Sequence, residues 1–377
     1  MALERQDTNI QSIVQEYVNP GLIDQIHDVA SIALKRVLAK TENIPDEEIR
    51  YLLGIGSITK RVRAVRSSMN TTYTTTATGT LATHAKGGKI NYYWPLYLYK
   101  DDIRYANTPN KLIDYVMGQT EKAANSIRED MQADIWTAQS TPTTDEDTLL
   151  SLVDAIDGNA ATTYLNVAEA DMADWSAFTM EAAHTTGTDT GVACSCANVL
   201  KMLYAMQSKN GKLPQEIYAP LDVFTLLAFE FDSKKNQIAG VWRDYNAALG
   251  VATLNFLGIP MYVDDAIAHT AFAGAASTRA TQYGSSIYFV DWDSFHFPVT
   301  PGMGFSANDW MEVADDRTAW MAQVEFQGNL HCERRRANGV IFNVDTSIRD
   351  LDPTKPAATI AVYHAGAVVS AATAAVT

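Results

Sequence analysis

Cysteine is nearly absent: Cys194, Cys196 and Cys332 are the three in 377 residues. An odd, sparse set without framework spacing excludes a disulfide-stapled fold and implies reduced thiols in a cytoplasm. Charge is scarce too. Charged residues make up 19% of the chain, below the roughly 25% usual for soluble domains, as in a protein that hides much of its surface against neighbours. Positive charge is scarcer still, and the net charge of −15 repels phosphates, which argues against nucleic-acid binding by bulk electrostatics. Two basic clusters run the other way, Lys60, Arg61, Arg63, Arg66 and Arg334, Arg335, Arg336. Such clusters are solvated faces or ion-pair partners more often than phosphate sites.

Long apolar runs are missing as well. The opening MALERQDTNIQ is polar and has no h-region, so secretion by a signal peptide is not expected. Residues Ala357 to Thr377 carry no charge and approach bilayer length, but they are mainly Ala, Thr, Val and Ser with His364 among them. An extended arm lying on a neighbouring surface is expected there, with no membrane anchor.

Motifs for catalysis are also lacking. There is no Gly-x-Ser-x-Gly elbow, no Walker loop and no His-Glu-x-x-His. Gly54-Ile55-Gly56-Ser57 lacks the third Gly and the acidic residue of a dinucleotide fingerprint. Cys194-Ser195-Cys196 with His184 upstream offers three metal ligands, yet it has no second pair, and free Cys commonly packs as a small hydrophobe. The pairs Asp264-Asp265 and Asp315-Asp316 read as surface or turn chemistry, because adjacent strand residues face opposite ways. No cofactor, metal or catalytic residue is assigned.

What is present is an ordered series of elements. Residues 9–40 have helical spacing, interrupted by Pro20. From Ser67 the chain turns β-prone, with Thr71–Thr76 punctuated by Gly79, Gly87 and Gly88 and then Asn91-Tyr92-Tyr93-Trp94-Pro95-Leu96-Tyr97-Leu98-Tyr99. Two extended runs joined by a Gly-rich stretch read as a long hairpin. An isolated ribbon is marginal in water, so its aromatic load needs another surface, either the chain's own body or a second subunit. Thr108 and Pro109 then open a helix to about Ala138, with Leu112, Val116, Ala123, Ile127, Met131 and Ile135 on one face. Residues 148–265 alternate helices and strands. Beyond Ile287 the chain is β-rich, with Trp320, Ala322, Val324 and Phe326 alternating with polar or flexible neighbours and Asn338-Gly339 marking a turn.

This order resembles the Hong-Kong-97-type fold of tailed-phage major capsid proteins. The local sequence is similar at Asp102-Ile103-Arg104-Tyr105-Ala106-Asn107, Leu112-Ile113-Asp114, Gln215-Glu216-Ile217-Tyr218-Ala219-Pro220, Leu257-Gly258-Ile259-Pro260-Met261, Ile287-Tyr288-Phe289-Val290, and the run Gln327 to Arg336 with Gly339-Val340-Ile341. The resemblance covers roughly residues 60–345. It implies an α+β fold with an N-terminal helical arm (1–66) and an extended β-hairpin loop (67–107). It further implies a β-rich peripheral domain with its spine helix (108–147 and 286–345), an axial α/β domain (148–285) and a C-terminal extension (346–377).

The function it implies is self-assembly, through pentamers and hexamers, into the icosahedral head of a virion that encloses double-stranded DNA. The subunit would be made in the host cytoplasm, and scaffold, portal and decoration proteins are the expected partners. DNA is held by enclosure, and no membrane is involved. A soluble α/β enzyme and an encapsulin-like nanocompartment are the competing readings.

Two expectations about contacts follow. Tyr93, Trp94, Tyr97 and Tyr99 would anchor the overlapping loop on a sister molecule, which gives the ribbon before Pro109 its burial. Arg334, Arg335 and Arg336 would neutralise acidic groups such as Asp315 or Asp316 across a subunit contact. Nothing in the sequence assigns an inter-subunit cross-link to Lys86, Lys89 or Lys100.

Overall fold

The computed structural model describes residues 31–52, 84–101, 109–137, 149–156, 163–168, 175–182, 192–233, 241–246, 251–267, 285–307, 311–312, 319–342, 344–345, 359–364 and 367–373. The part of the N-terminal helical reading before residue 31 lies outside them, as do the clusters at 60–66 and 315–316.

Helix α1 (Ile32–Ala39) starts where the Ser31 hydroxyl accepts the Leu34 N–H at 3.2 Å, and it buries Ala33, Leu34, Val37 and Leu38. Strand β1 (Thr41–Asn43) follows. Strands β2 (Glu48–Leu52) and β3 (His84–Gly88) pair antiparallel, from Glu48 opposite Gly88 to Leu52 opposite His84. Lys89 separates β3 from β4 (Ile90–Tyr99). Helix α2 (Pro109–Trp136) has 28 residues, roughly 42 Å at 1.5 Å per residue. Its buried Ala124, Ile127, Met131 and Ile135 recur at helical spacing, close to the expected face.

Short elements come next: α3 (Leu152–Ile156), the pair β5 (Thr163–Tyr164) and β6 (Val167–Ala168), β7 (Phe178–Ala182) and β8 (Val192–Ala193). Leu165 and Asn166 have positive φ in the two-residue turn between β5 and β6, as a tight hairpin requires. Helix α4 (Cys196–Asn210) is capped by Ser195 and stopped by Gly211 at φ 68°. Then follow β9 (Glu216–Ala219), α5 (Leu221–Ser233), β10 (Val241–Asn246), β11 (Val251–Phe256), β12 (Ile259–Val263), β13 (Ile287–Val290), β14 (Phe295–Val299), β15 (Ser306–Ala307) and β16 (Met311–Glu312). The chain closes with β17 (Ala319–Gly328), β18 (His331–Cys332), β19 (Gly339–Ile341), β20 (Val344–Asp345), β21 (Thr359–His364) and β22 (Ala367–Thr373).

Two sheets organise these strands. In the seven-stranded sheet β17 is central, pairing with β4, β14, β15 and β16, while β1 and β18 join through β14. Its inner side stacks Phe326 on Phe297 (5.6 Å) and Phe305 (4.7 Å) and is roofed by α2. The nine-stranded sheet runs β10-β11-β12-β9-β13-β19-β7-β21-β22. Alternation along its strands sends Ile217, Met261, Phe289 and Ile341 into a core with α4 and α5, and sends Tyr218, Tyr262 and Tyr288 to the opposite side. There Trp136, at the end of α2, lies 5.7 Å from Tyr218 and 5.0 Å from Tyr288, which joins the two sheets.

Three expectations need correction. Of the run expected as the other half of the aromatic hairpin, residues 67–83 lie outside the described residues, and the described part, β3, pairs with β2 instead of the aromatic strand. The aromatic strand pairs over its whole length with β17 of the same chain, from Tyr99 opposite Ala319 to Ile90 opposite Gly328, and the hairpin present is β2–β3. Strands β13 and β19, expected with the peripheral part, lie in the nine-stranded sheet. The C-terminal residues, expected as an arm on a neighbour, pair as β21 with β7 of their own chain, Ile360 opposite Ala182 and Tyr363 opposite Thr179. In the outer strand the register skips Val369, a bulge of the kind that turns a sheet edge away from further pairing.

Candidate assembly interface

Strand β4 divides its aromatics between two faces. Towards α2, the Trp94 Nε1 donates to Asp130 at 3.0 Å and the Tyr92 hydroxyl donates to Asp134, while the Leu149 N–H donates to Tyr92 at 2.8 Å. Leu96 and Leu98 are buried on the same side. Burial raises the Asp134 carboxyl above its ordinary range. On the other side Tyr93, Tyr97 and Tyr99 are 55%, 44% and 51% exposed. Directly across the ladders, Met321 stands opposite Tyr97 and Met311 opposite Met321, and Met311 is 56% exposed. Opposed residues in a sheet share a face, so these side chains make an apolar stripe across three strands. Trp94, expected with the tyrosines at a neighbour, instead clamps the strand to its own helix.

At the start of this strand lies the root of the β2–β3 hairpin, and its socket has no sequence signature. The His331 Nε2 faces the Gly88 carbonyl at 3.2 Å and its Nδ1 faces the Tyr51 hydroxyl at 3.1 Å. Tyr51 also stacks on His296 at 5.7 Å. His296 reaches Glu42 at 2.8 Å through Nδ1 and Glu333 at 3.3 Å through Nε2. The Lys86 N–H donates to the Leu165 carbonyl at 2.9 Å, and a Cβ on Gly87 would meet the His331 ring at 2.4 Å. Only glycine lets the backbone approach so closely. Of Tyr51, His296, His331 and Met311, only His331 fell in a run marked from sequence, and no role was assigned to it, because nothing local marks histidines 35 residues apart as neighbours.

The three consecutive arginines do three different things. Arg335 is fully buried. Its Nε donates to the Ala155 carbonyl at 2.7 Å and its Nη2 to the Asp154 carbonyl at 3.3 Å, at the end of α3. Its guanidinium carbon lies 5.0 Å from the Tyr164 ring centroid and 5.9 Å from that of Trp175. Arg336 is half-buried, donating to Asn210 Oδ1 at 3.2 Å and to the Lys209 carbonyl at 3.4 Å at the end of α4. Arg334 is exposed and reaches the Asp293 carbonyl at 3.4 Å. The expected role of Arg335 at a subunit contact is therefore corrected: the side chain is an internal strut.

The remaining chemistry is structural. All three cysteines are buried; Cys194 and Cys196 point at the Val223 and Leu227 carbonyls at 3.8 Å, within the core of α4 and α5. Among the described residues no group of three His, Cys, Asp or Glu could hold a metal ion. A cleft of about 430 Å³ is lined by Arg36, Lys40, Glu216, Pro260, Tyr262 and Trp292. Arg36 from α1 pairs with Glu216 at 2.6 Å, while Tyr218 and Trp292 donate to the other carboxylate oxygen, so these groups fasten α1 to the nine-stranded sheet. Among the described residues no helix is long and apolar enough to cross a membrane.

No family model and no curated protein matches the sequence. Solved structures do. The capsid of cyanophage A-1(L) aligns with a TM-score of 0.53 and 14% identity, over 84% of this chain and 93% of that one. An encapsulin from Synechococcus elongatus gives 0.49 and 12%, over 83% and 89%. A virus-like particle from Pyrococcus furiosus gives 0.45 and 10%, over 86% and 98%. At these identities a likeness establishes architecture, and the cyanophage alignment carries it: the chain has the fold of a phage capsid subunit.

Proposed function

We propose that this chain is a major capsid protein whose copies assemble into the icosahedral shell that encloses a phage's double-stranded DNA. The observation that supports this most is the one-sided strand β4. Its inner face is fixed on α2, while Tyr93, Tyr97 and Tyr99 with Met311 stay in water. A contiguous exposed apolar patch of this kind marks an interaction surface. The occupant is the β2–β3 hairpin of an adjacent copy, which leaves the body at the start of the same strand. Head-to-tail contacts of this type close into rings. The fold supports the reading because the likeness is to a capsid subunit. The net charge of −15 suits a wall that surrounds DNA without adhering to it.

The test is negative-stain microscopy of the purified chain and of a Tyr93→Ser, Tyr97→Ser, Tyr99→Ser variant. Closed particles from the parent and soluble, folded, unassembled subunits from the variant are expected. Normal particles from the variant would exclude the stripe as the contact, and a parent that forms no particles even in its native host, where any scaffold is supplied, would exclude the shell. Particles loaded with protein rather than nucleic acid in the native host would point to a nanocompartment.

A further inference from the structure

The root of the β2–β3 hairpin is held by a buried histidine, His331, that hydrogen-bonds both of its strands. We propose that the Tyr51–His331–Gly88 contact, backed by His296 between Glu42 and Glu333, is an acid-released latch that fixes the hairpin to the body at neutral pH and frees it on acidification.

The geometry sets the direction. A carbonyl accepts and never donates, so the His331 nitrogen facing Gly88 O must carry the proton. Its Nδ1 is then the acceptor for the Tyr51 hydroxyl. The neutral ring thus satisfies one partner on each strand of the hairpin, β2 through Tyr51 and β3 through Gly88. A second proton at Nδ1 turns donor against donor, and Tyr51 must swing its own hydrogen away. The new charge is buried, and Lys89 adds repulsion to it. The ring has no room to retreat, because the Gly87 backbone lies against it. Burial holds the His331 pKa down to about 4, from 6.5.

Other titratable and charged groups face this cluster from the elements packed around it. Glu42 on β1 and Glu333 beside β18 flank the His296 ring at 2.8 and 3.3 Å. Tyr51 is kept protonated by burial and by those two carboxylates. Cys332 is held neutral, with its thiol pushed up to about 12. Asp46 and Glu47 face Lys89, which donates to the Ile44 carbonyl and to Thr300 Oγ1. On the hairpin itself, Glu48 pairs with Arg50 at 2.8 Å and Lys86 at 3.6 Å in solvent. A histidine whose folded pKa is depressed contributes stability that is present above its unfolded pKa and lost as pH falls through the folded one. The window runs from about 6.5 down to about 4.

The inference concerns the hairpin that the shell reading assigns to a neighbour, but the latch lies within one chain and is measured there. The experiment is amide hydrogen exchange on the full chain, kept at a concentration where it is unassembled, between pH 7 and pH 4.5 and corrected for intrinsic rates. Protection of β2 and β3 should fall by at least ~10-fold across this range while β4 and β17 stay protected. His331→Gln, which offers an amide to the same two partners without titrating, should remove that pH dependence. Tyr51→Phe should keep the dependence and move its midpoint to higher pH.

Protection that falls equally in β4–β17 means global unfolding and overturns the latch. So does a His331→Gln variant with the parent's response. If that variant fails to fold, an unmoved midpoint in Tyr51→Phe overturns it. Absence of shells with a working latch would count against the proposed function alone.

Discussion

A guanidinium without water around it needs acceptors inside the fold, and Arg335 places its Nε and Nη2 on the last carbonyls of α3, beside the rings of Tyr164 and Trp175. Arg335→Ala should therefore leave the Ala155 and Asp154 carbonyls without their donor and open a hole, costing about 2–4 kcal/mol in urea unfolding. Arg334→Ala should stay within about 0.5 kcal/mol. Equal losses for the two would contradict the assignment. Their neighbours in sequence gave no hint of this difference, because a run of like charges reads as solvated and the aromatic slot comes from Tyr164 and Trp175, far away in the chain. Gly87 is a residue-scale requirement of the same kind. Gly87→Ala drives a methyl into the His331 ring, and it should expose the hairpin amides to exchange at pH 7 while leaving the β4–β17 ladder protected.

At the scale of elements, β4 is a strand with two tasks. Trp94→Ala removes a half-buried indole packed on α2 and should destabilise the fold by roughly 1–3 kcal/mol, seen as a lower urea midpoint. Tyr97→Ser should leave that midpoint nearly unchanged and reduce assembly, so comparing the two separates packing from contact. Much at this scale was legible in the sequence. Thr108-Pro109 and the spacing of Ile127, Met131 and Ile135 located α2 within two residues at its end. The alternation Trp320, Ala322, Val324, Phe326 located β17 and its inner face. What was not legible was pairing. Period-2 alternation says which residues share a face, but says nothing of the strand beyond the edge. Two β-prone runs linked by glycines look like a hairpin, yet Gly87 and Gly88 here carry the chain out of one sheet and into another. The exposed stripe was legible only in part for the same reason: Tyr93, Tyr97 and Tyr99 alternate visibly with Trp94, while Met311 joins them through tertiary pairing alone.

For the whole molecule, the C-terminal hairpin β21–β22 is part of the nine-stranded sheet rather than an appendage. Ending the chain at residue 345 would strip β21 from β7 and leave Phe178–Ala182 as an open, largely buried strand edge. The expected result is loss of soluble protein and a rise in light scattering on concentration. A truncated chain that stays as soluble as the parent would show that the hairpin is dispensable. The resemblance that ends near residue 345 gave no partner for these residues. Their composition, Ala, Thr, Val and Ser without charge, suits an extended strand equally well on a neighbour or on the chain's own sheet.

One residue, Lys89, lies between the hairpin strand β3 and the ten-residue ladder of β4 on β17. Tension applied to the hairpin by a neighbour would therefore run along the axis of β4. Hydrogen bonds perpendicular to that pull resist it together, in shear, instead of opening one after another as in a zipper. In the shell proposed above, a wall strained outward would, at this joint, have to slide an entire strand before any single subunit gave way.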